Sequence, residues 1–151
     1  MTASQANRSA LVIDASVALK WLLPESLSEE ALALLTAYPL LHVPDLVYPE
    51  AGNILWKRVR NGEITQEKAG ELLSWLASLS LSVHPSAPLI HTALEIACGY
   101  GRTVYDSLYL ALAVREGCRV VTADEKLVNG LSHTPLSGSL VLLTTLQVPL
   151  N

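Results

Sequence analysis

The alternation of short β-branched apolar runs with segments of helical periodicity constrains the fold more than any other feature of the chain. The first run, ALVID over residues 10–14, precedes a stretch with helical spacing that ends at Pro24. A second run, CRVVTAD over residues 118–124, follows a helical segment rich in Leu and Ala. Strands that alternate with helices favour a mainly parallel sheet with helices on both faces. The sequence therefore predicts an α/β fold with three layers, α/β/α.

The remaining segments continue this alternation. Strands are predicted for LLHVP and LSVHP, and another for GSLVLLTTL near the end of the chain. Ser28, Asp45 and Thr65 precede helical stretches, and we expect them to be N-caps because their side chains can accept hydrogen bonds from first-turn N–H groups. The dipeptide Asn61-Gly62 predicts the end of the helix that begins near Asp45.

Length and composition predict the domain organisation. The chain has 151 residues, of which 50% are hydrophobic and 16% charged, which is enough for one well-filled core but not for two. We expect a flexible N-terminal tail over residues 1–9 and a single domain over residues 10–151. No apolar run reaches the roughly 18 residues of a membrane span, and the start of the chain does not resemble a signal peptide. A cytoplasmic protein without membrane contact is therefore expected.

Net charge and cysteine spacing argue against two further classes of protein. A net charge of −4 disfavours a protein that coats nucleic acid by bulk electrostatics, although it says nothing about a local groove. Cys98 and Cys118 lack the spacing of a metal site. In a reducing compartment we expect both to be free thiols that pack as small buried hydrophobic residues.

Four acidic residues interrupt apolar stretches at positions that could meet in the fold. Asp14 and Asp124 follow predicted strands, and Asp106 and Glu50 lie in the first turns of helices. In parallel sheets, functional groups gather beyond the carboxyl ends of the strands. The alternative is local, because each acid could cap or begin a helix, and Asp106 has the capping-box spacing from Thr103. We favour convergence, because the other acids of the chain lie in segments typical of solvent exposure.

Carboxylates that converge require a counter-charge. At a separation of ~4 Å each pair would repel by about 4 kcal/mol at an effective dielectric constant of about 20. Oxygen ligands suit hard divalent cations, so Mg²⁺ or Mn²⁺ is expected. Such ions activate water and stabilise the leaving oxygen in phosphodiester hydrolysis. Zinc is disfavoured because the histidines are scattered without metal-site spacing: His42, His84, His91 and His133.

Three segments resemble the successive motifs of PIN-domain ribonucleases, and most closely the VapC-type toxins of bacterial toxin–antitoxin pairs: VIDASVALKWLLPE, PEAGNILWKRV and VYDSLYLALAVREGCRVVTADEKL. The resemblance covers nearly the whole chain after residue 9. It implies a PIN-like α/β/α domain that cleaves RNA with Mg²⁺ or Mn²⁺. By this resemblance the acidic cluster of the family falls on the same four acids: Asp14, Glu50, Asp106 and Asp124.

Three further residues match positions that the family often places beside this cluster. Ser16 and Thr122 match small hydroxyl positions, and Asn53 matches a frequent Asn. The resemblance implies that these residues support the carboxylates rather than bind the metal themselves.

The candidate RNA contacts are basic and aromatic residues near the acids. Lys57 and Arg58 lie on a helix that also carries an acid, where a solvated helix face explains them equally well. Arg102 and Tyr105 precede Asp106 by a few residues, and we expect both beside the groove, since bases stack on aromatic rings. The other aromatic residues of the helices have a spacing typical of a core.

The sequence thus predicts a metal-dependent endoribonuclease that acts as the toxin of a toxin–antitoxin pair, with RNA as substrate and a cognate antitoxin as partner. Apolar surface left on its Leu- and Ala-rich helices predicts a homodimer. One alternative is a PIN-fold module that binds RNA or a protein without cutting, but such a module has no need of four mutually repelling carboxylates. Another is a phosphotransfer enzyme or phosphatase with Asp14 as nucleophile, disfavoured because an acid two residues later is absent.

Overall fold

The computed structural model describes residues 9–148 and contains a single five-stranded sheet among them. Every pair of neighbouring strands is parallel, and their spatial order is β3-β2-β1-β4-β5. The predicted α/β class with a parallel sheet is confirmed. The strands are β1 (Ala10–Ile13), β2 (Leu40–Pro44), β3 (Ser82–His84), β4 (Arg119–Thr122) and β5 (Leu140–Leu142).

Seven α-helices connect and flank these strands within the described residues. Two short 3₁₀ turns, Ala87–Leu89 and Ser137–Ser139, precede the fifth helix and the last strand. The helices are α1 (Ala15–Leu22), α2 (Ser28–Ala37), α3 (Val47–Arg60), α4 (Gln66–Ser78), α5 (Ile90–Tyr100), α6 (Val104–Glu116) and α7 (Glu125–Leu131).

The two faces of the sheet bury separate clusters of apolar side chains. Successive strand residues point to opposite faces. Leu11 and Ile13 accordingly pack with helices α1 to α4. Ala10 and Val12 pack with helices α5 to α7 on the other face. This arrangement confirms the three-layer architecture and leaves the carboxyl ends of the strands along one edge between the two helix layers.

The sequence-based caps are only partly correct. Thr65 caps α4 as predicted, accepting a hydrogen bond from the Lys68 N–H at 3.1 Å. Ser28 is instead the first residue of α2, and its hydroxyl donates to the Leu23 carbonyl. Asp45 lies before α3 without capping it, because its side chain accepts from the N–H and hydroxyl of Ser86. Both differences arise from contacts with an earlier or a distant segment that outcompete the local cap.

Several other expectations can be compared with the described residues. Cys118 is buried, but Cys98 is exposed on α5, so the prediction of two buried cysteines was wrong for Cys98; neither forms a disulfide. No helix within residues 9–148 combines the length and the apolar character that a membrane crossing requires. Residues 1–8 and 149–151 lie outside the described residues, so the division into a tail over 1–9 and a domain over 10–151 stays a prediction.

Candidate active site

The carboxyl ends of β1 and β4 bring two of the predicted acids to one place. Asp14 follows β1 directly, and Asp124 lies two residues beyond the end of β4. The strands are parallel neighbours, and the Asp14 N–H donates to the Val121 carbonyl at 3.1 Å. Strand order reverses at this pair, so α1 and α7 leave toward opposite faces. Such a reversal opens a crevice at the edge of the sheet, where open α/β sheets bind ligands.

Two hydroxyl groups hold the Asp14 carboxylate. Its Oδ2 accepts hydrogen bonds from Ser16 Oγ at 2.6 Å and from Thr122 Oγ1 at 2.7 Å. Ser16 is in turn fixed by the Ala123 N–H, which donates to its Oγ at 3.0 Å. The Asp14 side chain makes no capping bond to α1, so local capping does not explain this acid. Ser16 and Thr122 therefore lie beside the acid as the sequence indicated.

Asp124 does cap a helix. Its Oδ1 accepts a hydrogen bond from the Leu127 N–H at 3.1 Å, at the start of α7. Its own N–H donates to Thr122 Oγ1 at 3.1 Å, which links it to the hydroxyl pair around Asp14. The cap uses one carboxylate oxygen, and the residue is exposed at the mouth of the crevice.

Asp106 lies in the first turn of α6, where Thr103 is the N-cap. Thr103 Oγ1 accepts from the Asp106 N–H at 3.0 Å. Within the described part of the chain, the Asp106 carboxylate does not form the reciprocal bond to the Thr103 N–H that would complete a capping box. The N-terminal turn of α6 thus positions the Asp106 carboxylate, and the carboxylate oxygens are not used to complete the cap. Gly101, at a positive φ of 66°, ends α5 and allows the sharp turn that leads into α6.

Glu50 reaches the edge from the opposite helix layer. It lies in the first turn of α3, and its Oε1 accepts a hydrogen bond from the buried Tyr109 hydroxyl at 2.6 Å. Because Tyr109 belongs to α6, this bond joins the two helix layers across the end of the sheet. Sequence reasoning assigned Tyr109 to the core and missed this contact. The available signal was its position three residues after Asp106, which places both on one face of α6.

The four acids form one electrostatically coupled set. Burial raises the pKa of Asp14, and repulsion from Asp124 adds to this effect, while the bonds from Ser16 and Thr122 oppose it. Burial also raises the pKa of Glu50, with further repulsion from Asp14 and Asp106 and an opposing bond from Tyr109. The acids that the sequence predicted to converge thus lie within electrostatic reach of one another.

Asp106 shows the same balance of burial and charge. Burial raises its pKa, and repulsion from Asp14 and Asp124 raises it further. The Arg102 guanidinium and the hydroxyl of Thr103 act in the opposite direction. Arg102 is therefore a basic side chain within electrostatic reach of Asp106.

The other residues that the sequence placed near the site differ in how close they lie to the acids. Tyr105 is 63% exposed and immediately precedes Asp106. Asn53 lies one turn after Glu50 on α3, exposed and without a hydrogen bond to another described residue. Lys57 and Arg58 lie nearer the end of the same helix, roughly 10 Å along its axis from Glu50 at 1.5 Å per residue. Arg58 forms an ion pair with Glu63.

Two histidines that the sequence analysis treated as scattered are in contact. His42 Nδ1 and His84 Nε2 lie 2.9 Å apart, because β2 and β3 are adjacent parallel strands. Arg115 at the end of α6 donates to His84 Nδ1 at 2.8 Å. Burial lowers the pKa of His42. Since Arg115 lies nine residues after Asp106 on α6, this cluster is at the far end of that helix from the acids.

The oxygen ligands at the carboxyl ends of β1 and β4 fit a hard divalent cation. Among residues 9–148, no three Asp, Glu, His or Cys side chains form a ready-made metal cluster. Mg²⁺ does not require one, because it keeps several waters and binds through one or two carboxylates. The edge offers carboxylate and hydroxyl oxygens, and burial and mutual repulsion raise the pKa values of three of its carboxyl groups, those of Asp14, Glu50 and Asp106. A cation there would relieve that repulsion.

Sequence comparison identifies relatives of the chain. The model of the PIN domain family matches residues 11–129. Ribonuclease VapC3 of Pyrobaculum aerophilum is 36% identical over 119 residues, which cover 78% of this chain and 91% of that protein.

Structure comparison agrees with this result. The crystal structure of PAE2754 from Pyrobaculum aerophilum matches with a TM-score of 0.68 and 27% identity, covering 93% of this chain and 89% of that one. A chain in the crystal structure of VapBC2 from Rickettsia felis, bound to a DNA fragment from their promoter, has the same fold. It matches with a TM-score of 0.63 at 16% identity, covering 88% of this chain and 98% of that one. The protein therefore belongs to the PIN domain family, and its sequence relatives in that family include a VapC ribonuclease.

Proposed function

We propose that this protein is an endoribonuclease that depends on Mg²⁺ or Mn²⁺ and acts as the toxin of a toxin–antitoxin pair. The observation that carries the proposal is a set of four coupled carboxylates, supplied by four separate segments, at one edge of a PIN-domain sheet. A sequence relative over most of its length is a ribonuclease. Dependence on a metal ion is a general property of PIN-domain ribonucleases.

The four carboxylates would have two roles at the site, metal binding and orientation of the attacking water. Asp14, Asp106 and Asp124 would hold the metal ion, directly or through its waters. When bound, Mg²⁺ or Mn²⁺ neutralises the carboxylates, lowers the pKa of a water and stabilises charge on the phosphate. Glu50 would ligate the ion or orient the attacking water, and Tyr109 leaves Glu50 Oε2 free for this because it bonds Oε1.

Two hydroxyl residues position the central carboxylate. Ser16 and Thr122 both donate to Oδ2 of Asp14, which fixes the rotation of the carboxylate and leaves Oδ1 without a side-chain donor. Loss of one hydroxyl would leave a half-buried carboxylate with one donor fewer. Asn53 would act beside Glu50, one turn along the same helix face.

The reaction is hydrolysis of a phosphodiester bond. A water oxygen attacks phosphorus, the bond from phosphorus to the leaving ribose oxygen breaks, and the leaving oxygen takes up a proton. Arg102 and Tyr105, next to Asp106, would contact the RNA at this point, one through a phosphate and the other by stacking. Lys57 and Arg58 would contact RNA farther from the cleaved bond.

Protein partners complete the proposal. A cognate antitoxin would cover the acidic edge, and support for such a partner comes from a toxin-antitoxin complex of Klebsiella pneumoniae that contains a chain of this fold. A homodimer is supported by the large apolar side chains that remain exposed on the helices, among them Leu32, Trp56 and Trp75. We expect the protein to act in the cytoplasm, because that is where its RNA substrate would be.

The competing possibility is a PIN-fold module that binds RNA or protein without cutting it. Nothing in such a module would favour keeping four coupled carboxylates, three of which carry raised pKa values. The enzyme is therefore the better account of the site.

Cleavage assays separate these two possibilities. We expect the purified protein to cut RNA with Mg²⁺ or Mn²⁺, to stop in EDTA, and to need no Zn²⁺. Asp14→Asn should abolish cutting, while Glu67→Gln, an exposed acid of α4, should not change it. Full cleavage in EDTA would rule out the metal mechanism, and RNA binding without cleavage under any of these conditions would identify a binding module.

A further inference from the structure

We propose that Arg102 binds a phosphate of the RNA backbone beside the cleaved bond, and that the glycine at residue 130 sets the position of its guanidinium. The inference rests on the proposed ribonuclease function and adds a second residue, Gly130, which neither motif nor spacing identifies as part of the site. It assigns Arg102 as an RNA contact and Gly130 as a positioning residue that acts through Arg102.

The first observation is the contact between Arg102 and α7. Arg102 lies just before Thr103, the N-cap of α6, and its guanidinium packs against the backbone at Gly130. A Cβ atom at residue 130 would lie 2.9 Å from Arg102 Cζ and closer still to Nη2. Real Cβ atoms essentially never approach other atoms this closely. Any residue other than glycine at this position would therefore displace the guanidinium.

The backbone of Gly130 does not itself require glycine. The residue lies inside α7, and positive φ angles among the glycines occur only at Gly62, Gly101 and Gly117. A helical glycine is less favourable than alanine in such a position. The glycine is therefore explained by the side chain that lies over it rather than by the conformation of its own backbone.

The second observation is that Arg102 has no partner in the described part of the chain. Its Nε is buried without an acceptor, and the guanidinium forms no ion pair. Three other cationic side chains are paired with acids: Lys20 with Glu25, Arg58 with Glu63, and Arg115 with Glu116. An arginine held in a fixed position without an acceptor is suited to an anionic ligand, because its planar fork binds phosphate oxygens in pairs.

The third observation is the position of this cation relative to the acids. Arg102 is within electrostatic reach of Asp106 and favours its ionised form. The acids repel the phosphates that flank a cleaved bond, so a strand of RNA that crosses them needs a cation at their border. Arg102 supplies that cation on the side of α7. A carboxylate of an antitoxin carries a negative charge, as a phosphate does. We favour an RNA phosphate as the ligand of Arg102, because the RNA backbone must cross this border in every reaction cycle.

Four variants test the proposal, each made in the non-cleaving Asp14→Asn protein and measured with Mg²⁺. They are Arg102→Ala, Arg102→Lys, Gly130→Ala and the combination of Arg102→Ala with Gly130→Ala. The probe is a fluorescently labelled single-stranded RNA of mixed sequence, whose binding is followed over a range of salt concentrations. We expect Arg102→Ala to weaken binding by about tenfold or more and to reduce the salt slope by about 0.7, the loss of one phosphate contact. Arg102→Lys should restore part of the affinity, since it keeps the charge but not the fork.

Gly130→Ala should weaken RNA binding by severalfold although its melting temperature stays the same or rises, because alanine favours the helix. In the Arg102→Ala protein, the same change at residue 130 should have no further effect. The matched controls are Gly99→Ala, an exposed helical glycine of α5 with open space around it, and Arg119→Ala at the opposite edge of the sheet. Both should bind RNA as the parent does.

Three results would overturn the inference. The first is an Arg102→Ala variant that binds RNA with unchanged affinity and salt slope, even if that variant no longer binds an antitoxin. Gly130→Ala could bind as the parent does, or could lose the same affinity with and without Arg102. If the wild type does not cut RNA and the Asp14→Asn parent does not bind it, the proposed function is removed together with this inference. An RNA-binding parent with an unaffected Arg102→Ala variant removes this inference alone.

Discussion

Tyr109 links the two helix layers at the acids. Its hydroxyl donates to Glu50 Oε1 at 2.6 Å from a buried position. A phenol is weakly acidic, and burial raises the pKa of Tyr109 further, so it stays a hydrogen-bond donor at physiological pH. The bond therefore holds Glu50 in one orientation whatever the charge on the acid.

Replacing Tyr109 by Phe should separate the effect of the hydrogen bond on the orientation of Glu50 from the effect of packing by the aromatic ring. We expect Tyr109→Phe to lower the free energy of unfolding by about 1 to 2 kcal/mol, because a half-buried carboxyl group loses a donor while the ring keeps its place. RNA cleavage should fall by about tenfold, and more Mg²⁺ should be needed for half-maximal thermal stabilisation. Tyr105→Phe, at an exposed position, should leave stability unchanged. A Tyr109→Phe protein that matches the wild type in all three measurements would show that the bond has no role.

At the level of secondary structure, the cap of α6 determines where Asp106 stands. Thr103 and Thr65 cap α6 and α4 with equivalent bonds, at 3.0 and 3.1 Å. We expect Thr103→Ala and Thr65→Ala each to cost about 1 kcal/mol of stability by chemical denaturation. Only Thr103→Ala should also reduce RNA cleavage, because only that helix turn carries one of the coupled acids. Equal cleavage by the two variants would contradict this role, and Thr103→Ser should behave as the wild type does.

The elements themselves are well predicted by the sequence, because β-branched runs and helical periodicity are local signals. The same signals place Asp14 and Asp124 at one edge of the sheet, since both acids follow parallel strands. That they also lie close together depends on the pairing of β1 with β4, which is not a local signal. Contacts between segments far apart in the chain are not local and were missed. Asp45 bonds Ser86 instead of capping a helix, and the same limit applies to the contacts of Tyr109 with Glu50.

At the level of the whole molecule, the coupled acids make metal-free stability depend on pH. The folded-state pKa values of Asp14, Glu50 and Asp106 are raised above their ordinary values of 3.8 for Asp and 4.5 for Glu. The folded protein therefore binds more protons than the unfolded chain between the ordinary and the raised pKa values. These groups stabilise the protein fully below the ordinary values, and this contribution is lost as pH rises through the folded-state values.

Denaturation in EDTA as a function of pH measures this effect. We expect the free energy of unfolding of the wild type, relative to that of Asp106→Asn, to fall as pH rises from about 4 to neutral. The comparison removes the opposite contribution of His42, whose pKa is lowered by burial and which is present in both proteins. Mg²⁺ should reduce the difference at neutral pH. Parallel curves for the two proteins in EDTA would mean that Asp106 is not coupled to the other acids.

The most direct test of the whole account is one experiment on Asp106→Asn, with melting temperature and RNA cleavage measured on the same samples in EDTA and in Mg²⁺. Asparagine keeps a polar side chain in the first turn of α6 but removes one charge from a repulsive set. We predict that the metal-free variant melts at a higher temperature than the metal-free wild type, that Mg²⁺ stabilises the wild type more than the variant, and that cleavage falls by orders of magnitude. A variant that cuts RNA as the wild type does, or that melts lower in EDTA while Mg²⁺ leaves the wild type unchanged, would contradict the account and make Asp106 an ordinary helix-start residue.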